Sequence, residues 1–404
     1  MENIFFDIHM HAMDMSHPNL LAFVNRIHGL GIKLVIGGLA ELFLHQEKKE
    51  VLNLLTVMES DIEEYFILME YFLREKEPVL SVEKPIRIGN REFDTILLTP
   101  LIMDFGFKEI KSDTFYNMAL GKPVVGQTVD VLKSIKKYCN CEFEIKPGRA
   151  DEGVTASRTS RRVFEIYPFM GINTRYYELK EIKRLLNRLF SGYTGRRVDF
   201  LSRMGNFDGA IERVRSNVFA GIKLYPPLGF DPWPEEDDLE MEKVVTLYDL
   251  CVAKQIPITA HCSDGGFRTT AKSEEYTSPK KWRHVLNAFP SLKLNLAHFG
   301  KQKETPLLDS WRDMVIDLIL EHDNVYTDIS CLAFNETFYD ELNDLLSQND
   351  RLSSRIMFGT DYMMNLLWEE SYNSYLLRFI QTSKIEPEIK IKMCNVNPGR
   401  FIFS

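Results

Sequence analysis

Histidine and aspartate residues at a few positions of this chain have the types and spacing needed to bind a metal ion. His9 and His11 are separated by one residue, and they end a short apolar run that begins at Ile4. If that run is a β-strand, the two imidazoles point to the same face, roughly 6–7 Å apart along the strand. Two imidazoles this close can share one metal ion. An isolated pair of this kind is more often two ordinary, partly buried histidines, so the hypothesis requires ligands from elsewhere.

Four later apolar runs provide residues of the required types at or near their ends. The runs at 257–262, 292–298, 355–360 and 220–225 carry or precede His261, His298, Asp361 and Lys223, in that order. The chain has only 9 histidines, and those at the ends of apolar runs are too many to be placed there by chance. The pattern therefore favours a metal site built from several strands.

Eight apolar runs alternate with helical patterns along the chain and predict an α/β fold. They end at His11, Met103, Met170, Tyr225, Cys262, His298, Ser330 and Asp361. Alternating strands and helices are typical of a parallel sheet, and eight such units predict a (β/α)8 TIM barrel. In this barrel the C-terminal ends of the strands meet at one face, where the chemistry takes place. The fold would therefore bring the candidate ligands together.

The length of 404 residues exceeds what one barrel needs, and the excess lies mainly between the first three strands. We therefore predict a single barrel domain over residues 1–404 with long insertions between the early strands. An inserted irregular and helical segment is expected at about 106–160, with one helix near 129–138. Residues 12–160 carry no motif that indicates a role.

Composition and charge narrow the range of partners. The net charge is −9, which gives no reason to expect nucleic acid or an anionic membrane as partner. No apolar run approaches the length of about 18 residues that a membrane span needs, and no signal peptide is expected. The 6 cysteines are interpreted as reduced thiols of a cytoplasmic protein. A small-molecule substrate is the expected partner, and a homo-oligomer remains open.

The arrangement resembles the amidohydrolase superfamily, and within it the amidohydrolase-related branch of metal-dependent barrel enzymes. The resemblance rests on residues 7–11, 221–227, 257–262, 289–300, 358–361 and the closing segment 395–401. It covers strand one and strands four to eight, and it says little about residues 12–160.

The resemblance implies a metal centre. His9, His11, His261 and Asp361 would bind the first divalent ion, with nitrogen and oxygen ligands suited to Zn²⁺. Asp361 would also be the general base toward a metal-activated water, and it would later return the proton to the leaving group. His298 would either bind a second ion or hold and polarise the substrate oxygen.

Lys223 has three alternative roles. Its ammonium group has no lone pair and cannot bind a metal. In binuclear relatives the lysine on this strand is carboxylated and bridges two ions. Lys223 could instead pair with Asp361 or bind a substrate carboxylate. Whether the site holds one or two ions therefore depends on Lys223.

Loop residues at the same end of the barrel are expected to line the substrate cavity. They are Asp104, Tyr225, Asp264, Arg268 and Phe299. Two glycines precede Arg268 and allow close backbone approach to a ligand. Arg268 could therefore bind a carboxylate or phosphate through two parallel hydrogen bonds, or it is a surface residue.

These observations lead to the hypothesis of a metal-dependent hydrolase that cleaves an amide, ester or lactone bond of a small molecule. The alternative is a mononuclear lyase on the same barrel, either a non-oxidative decarboxylase or a hydratase. Lys223 favours hydrolysis, since a lysine on this strand is common to hydrolytic binuclear relatives. The sequence does not identify the substrate.

Overall fold

A computed structural model describes ten segments of the chain. They are residues 3–14, 54–59, 61–76, 79–80, 84–105, 124–140, 162–268, 270–303, 310–347 and 349–403. Most of the segment expected at 106–160 lies outside the described residues. The helix expected near 129–138 is present and longer, spanning Val124–Asn140, because its buried face continues in both directions.

The described strands are short and almost all are fully buried. They are β1 Ile4–Met10, β2 Ile86–Ile88, β3 Arg91–Phe93, β4 Thr95–Pro100, β5 Phe164–Ile166, β6 Phe169–Gly171, β7 Gly221–Leu224, β8 Ile258–Ala260, β9 Leu294–Leu296, β10 Val325–Asp328 and β11 Ile356–Met357. β2 and β3 form an antiparallel hairpin before β4. Pro168 lies between β5 and β6 and cannot donate a backbone hydrogen bond, so the strand is interrupted there. The two short strands together occupy one barrel position.

The parallel strands form a closed barrel. β1, β4 and β5 are paired in that order, and β6 to β11 form a second run of consecutive parallel strands. The first join between the two runs is made by the Ile102 N–H, which donates to the Phe169 carbonyl at 3.1 Å. At the other join, the Ile8 N–H donates to the Phe358 carbonyl at 3.3 Å. The eight strand positions therefore close into the predicted (β/α)8 barrel, with the first and last strands side by side.

Helices follow the barrel strands, as alternating β and α patterns predict. They are α1 Tyr65–Tyr71, α2 Val124–Asn140, α3 Leu179–Phe190, α4 Arg197–Arg203, α5 Asp238–Lys254, α6 Ser273–Thr277, α7 Pro279–Ala288, α8 Trp311–Glu321, α9 Glu336–Ser347, α10 Asp350–Ser353, α11 Tyr372–Gln381, α12 Pro387–Ile391 and α13 Asn397–Ile402. Residues 54–59 are also helical. None of the described helices is long and apolar enough to cross a membrane.

The strands end earlier than the apolar runs suggest. β9 stops at Leu296, β10 at Asp328 and β11 at Met357, although the hydrophobic pattern continues for two or more residues. Beyond each end the backbone leaves the extended conformation and turns toward the centre of the barrel face. The residues in these turns, rather than those in the strands, form much of the site described next.

Candidate metal centre and substrate cavity

His9, His11 and Asp361 converge at the point where the first and last strands meet. The Oδ1 atom of Asp361 lies 3.4 Å from Nε2 of His9 and 3.2 Å from Nε2 of His11. The three side chains are buried, and their ligand atoms lie within 4.8 Å of one another. The approach is fixed by the backbone, because the Asp361 N–H donates to the His9 carbonyl at 2.7 Å.

The hydrogen bonds on the far side of both rings determine where each imidazole carries its proton. His9 Nδ1 lies 3.1 Å from Asp328 Oδ2, and His11 Nδ1 lies 3.0 Å from the Leu101 carbonyl oxygen. A carboxylate and a carbonyl can only accept, so both rings donate from Nδ1. Each Nε2 therefore presents a lone pair toward Asp361, as a metal ligand must.

His298 and His261 face each other across the same pocket. His298 Nδ1 lies 3.2 Å from the Ser330 carbonyl oxygen, which places its proton on Nδ1 and its lone pair on Nε2. That Nε2 is 3.1 Å from Nδ1 of His261. His261 Nε2 in turn lies 3.3 Å from the Gly265 carbonyl oxygen. When His261 donates to Gly265, two nitrogen lone pairs face each other, an arrangement that a cation stabilises.

The donor set fits a divalent metal ion. His9 Nε2 and Asp361 Oδ1 are buried, and within the described ranges of the chain they have no hydrogen-bond partner. Leaving such atoms unsatisfied is costly, and one cation would satisfy both. Burial lowers the pKa of His11 and His261 and lowers that of His298 to about 4, so these rings are neutral and have free lone pairs. Neutral imidazoles and a carboxylate are ligands that Zn²⁺ accepts in proteins.

The carboxylate of Asp361 is ionised in this environment. Burial alone would raise its pKa, but the neighbouring His11, His9 and His298 hold the pKa well below its usual range. The second carboxylate oxygen, Oδ2, accepts a hydrogen bond from Cys331 Sγ at 2.9 Å. Oδ1 is thereby left to face His9 and His11.

Asp328, at the end of β10, positions His9. Its Oδ2 accepts from His9 Nδ1 and, at 2.7 Å, from Asn295 Nδ2, while its Oδ1 accepts from the backbone N–H groups of His298 and Ser330 at 3.1 Å each. Burial would raise the pKa of Asp328, but its interaction with His9 outweighs burial and brings the pKa below its usual value. Asp328 is not among the predicted residues, which are direct ligands or cavity residues. Its acidic type at the end of a barrel strand was a usable signal.

Four residues in the turns at this end of the barrel have a left-handed backbone, which is uncommon for residues other than glycine. They are His298, Phe299, Cys331 and Asp361, with φ angles of 62°, 49°, 55° and 58°. Each follows the end of a barrel strand. Backbone strain of this kind clusters at functional sites, where the surrounding structure holds it in place.

Lys223, on β7, is buried beside these ligands. Among the described residues its Nζ atom has no hydrogen-bond partner. The nearest ring, that of Tyr225, has its centroid 5.8 Å from Nζ. Burial lowers the pKa of Lys223 to about 8, although Asp361 and Asp328 oppose the shift. An amine with this pKa is partly neutral near neutral pH, which is the form that reacts with CO₂.

A cavity of about 270 Å³ opens above the ligands. Six predicted site residues line it, together with residues that were not predicted. The lining includes His11, Tyr225, His261, Asp264, His298 and Asp361, and also Met103, Ser263, Gly265, Gly266, Phe267, Lys301, Lys303, Cys331, Met364, Leu367 and Trp368. Tyr225 packs on His261 with ring centroids 4.5 Å apart, and its hydroxyl accepts from the Phe267 N–H at 3.0 Å.

Three residues expected to line the cavity lie elsewhere. Asp104 is buried and accepts from the Asn173 N–H and the Tyr177 hydroxyl, both at 3.1 Å. Phe299 is also buried, and its ring packs under the guanidinium of Arg312. Arg268 turns outward and pairs with Glu274 at 2.9 Å, so it is the surface arginine that the sequence left as the alternative.

The chain matches a known protein family over more than half of its length. A family model described as Amidohydrolase aligns with residues 165–403. The chain belongs to the amidohydrolase family. No curated protein gave a significant match to this amidohydrolase.

Several solved structures are similar to this amidohydrolase at low sequence identity. An uncharacterised TIM-barrel protein from Bordetella bronchiseptica is 14% identical, with 99% of this chain and 98% of that chain covered and a TM-score of 0.46. An amidohydrolase from Burkholderia multivorans with bound zinc is 11% identical, with 100% of each chain covered and a TM-score of 0.45. A probable 2-pyrone-4,6-dicarboxylic acid hydrolase from Acinetobacter baumannii is 9% identical over 76% of this chain and 98% of that chain, with a TM-score of 0.42. At these values the similarities add nothing to the assignment of function.

The cavity of the amidohydrolase contains residues for which the sequence gave little signal. Cys331 and Lys301 lie in turns after strands, and Trp368 precedes α11. A lone cysteine, lysine or tryptophan in a loop is most often structural. Only the closed barrel shows that these three side chains share a cavity with Asp361.

Proposed function

We propose that this protein is a metal-dependent hydrolase that uses a metal-activated water to cleave an amide, ester or lactone bond of a small molecule. The observation that carries the proposal is the convergence of two imidazole lone pairs and one carboxylate oxygen at a buried point. His9 Nε2, His11 Nε2 and Asp361 Oδ1 are the atoms concerned. The family membership supports the same chemistry.

His9, His11, His261 and Asp361 would hold the ion, and His298 and a carboxylated Lys223 would hold a second one. A bound divalent ion such as Zn²⁺ polarises the substrate oxygen and makes a hydroxide nucleophile available near neutral pH. These ligands are buried, and His11, His261, His298 and Asp361 line the cavity.

Asp361 moves the proton in this proposal. Its carboxylate accepts a proton from the attacking water and returns it to the leaving nitrogen or oxygen. Cys331 holds Oδ2 through its thiol, and the backbone hydrogen bond to His9 fixes the turn that carries the carboxylate. His11, His261 and His298 remain neutral, because burial lowers their pKa values, and they keep their lone pairs for an ion.

The test combines metal analysis with turnover in ¹⁸O-labelled water. The zinc-loaded full chain is assayed on lactones, N-acyl amino acids and aromatic acids. The proposal predicts that one oxygen from solvent enters the product. His261→Ala should lose metal and activity together, whereas His284→Ala, at an exposed position on α7, should change neither. Release of CO₂ without solvent oxygen in the product would instead identify a lyase, and full metal content in His261→Ala would overturn the ligand assignment.

A further inference from the structure

The cavity has a cationic end beside the metal ligands. Lys301 and Lys303 both line it, and in the described parts of the chain neither ammonium forms an ion pair with a carboxylate. Asp264 also lines the cavity, and its Oδ2 accepts the backbone N–H of Lys303 at 2.7 Å. The carboxylate of Asp361 belongs to the metal centre. The two ammonium groups therefore give this end a net positive charge.

The ammonium of Lys301 is held in one place. Nζ donates to the Cys331 carbonyl at 2.9 Å and lies 5.8 Å and 5.4 Å from the ring centroids of Phe334 and Trp368. Aromatic faces stabilise a nearby cation and restrict where it can lie. An ammonium has three N–H donors, so two remain for a ligand in the cavity.

Cys331 connects the cationic end to the reacting centre. Its carbonyl oxygen accepts from Lys301, and its thiol donates to Asp361. A molecule that touches the Lys301 ammonium and the metal centre therefore needs to span the length of about one residue. The rest of the lining is mainly apolar, with Met103, Phe267, Met364, Leu367 and Trp368.

We propose that Lys301 binds a carboxylate of the substrate, and that the substrate is a small carboxylic acid with an apolar body. The carboxylate end is recognised by the ammonium of Lys301, with Lys303 adding to the attraction, while the apolar walls bind the body. The inference rests on the proposed function only in placing the cleaved bond at His9, His11 and Asp361.

The experiment compares two probes of equal shape and different charge. Binding of phenylacetate and of phenylacetamide is measured by calorimetry on the full chain, with and without zinc. Wild-type protein should bind phenylacetate more tightly in both forms, and the metal-free form excludes direct ligation of zinc as the cause. Lys301→Gln should weaken phenylacetate binding about tenfold or more and leave phenylacetamide unchanged. Lys301→Arg, which keeps the charge, should retain the preference.

Lys254→Gln is the matched control, because Lys254 is exposed at the end of α5 and lies before the N-terminal end of β8, at the barrel face opposite the cavity. It should alter neither affinity. Equal binding of the two probes by metal-free wild-type protein would overturn the inference, and that comparison requires no variant to fold. Inorganic phosphate bound more tightly than phenylacetate through Lys301 would also overturn the assignment to a carboxylate.

The two proposals fail in different ways. Binding needs no turnover, so Lys301-dependent binding of phenylacetate without any hydrolysis would support the carboxylate end and contradict the proposed hydrolase. Hydrolysis that incorporates solvent oxygen, combined with unchanged phenylacetate binding in Lys301→Gln, would support the hydrolase and contradict the carboxylate end.

Discussion

Replacing Asp328 with asparagine should weaken metal binding without removing any proposed metal ligand. Oδ2 of Asp328 accepts from His9 and Asn295, and Oδ1 accepts from the backbone of His298 and from Ser330. An asparagine side chain has one oxygen and one NH₂ group, so in either orientation its NH₂ faces at least two of these hydrogen-bond donors. The less disruptive orientation puts the NH₂ toward His9, because Oδ1 also accepts from the Ser330 hydroxyl.

The expected magnitude follows from the proton position on His9. Facing an NH₂ group, Nδ1 of His9 must accept, so the proton moves to Nε2 and removes the lone pair that faces Asp361. Loss of such an outer partner of a metal ligand typically costs 10–100-fold in metal affinity, or about 1.4–2.8 kcal/mol. Because the tautomer itself changes here, we expect Asp328→Asn to be near the upper end, with a dissociation constant for zinc about 100-fold higher.

The assay is zinc titration against a chelator of known affinity, together with thermal unfolding of the metal-free proteins. Asp317→Asn on α8 makes the same chemical change at an exposed position and should leave zinc affinity unchanged. A folded Asp328→Asn protein whose zinc affinity lies within about threefold of wild type would refute the tautomer argument. The tautomer argument would also be refuted if zinc bound more weakly only because the metal-free Asp328→Asn protein is unfolded.

Two further predictions concern buried residues beside the centre. Burial lowers the pKa of Lys223 to about 8, against 10.5 for an exposed lysine, so the folded, unmodified, metal-free protein favours the neutral amine. The free energy of unfolding should therefore rise as the pH increases from about 8 to 10.5, by up to about 3 kcal/mol. Urea unfolding across this range should show the rise in wild type and lack it in Lys223→Met, and identical profiles would contradict the assignment. Cys331→Ala removes the donor to Asp361 Oδ2 and should lower kcat about tenfold, while Cys331→Ser, which keeps a donor, should stay close to wild type. Equal rates for the two variants would show that the thiol does not position the carboxylate.

The barrel was predictable because its signals are local and repeated. Apolar runs such as residues 221–224 and 258–260 recur at the spacing of βα units, and each strand is buried on both faces. The third barrel strand was the exception. Pro168 divides it into β5 and β6, and a hydrophobic pattern does not show which backbone donor is missing.

The proposed ligands were predictable to the extent that they end strands. His9, His11, His261, His298 and Asp361 meet because barrel closure brings strand ends together. The residues that line the cavity were not predictable in this way. Arg268 and Asp104 do not line it, although they are as close in sequence to strand ends as the residues that do. Their partners, Glu274 for Arg268 and Tyr177 for Asp104, draw both side chains away, and such pairings depend on loop conformation.

The seam between the first and last strands has a consequence for when the centre can exist. Asp7 accepts from the N–H and the hydroxyl of Thr360 at 3.0 and 2.7 Å, across 353 residues of sequence. During synthesis β1 emerges long before Asp361, so His9 and His11 lack this residue until the long segment between them has been made. Contacts this distant in sequence form slowly, and a ligand that binds only the closed form stabilises it. Metal binding would therefore indicate that the barrel has closed, and a bound ion would stabilise the contact between the first and last strands.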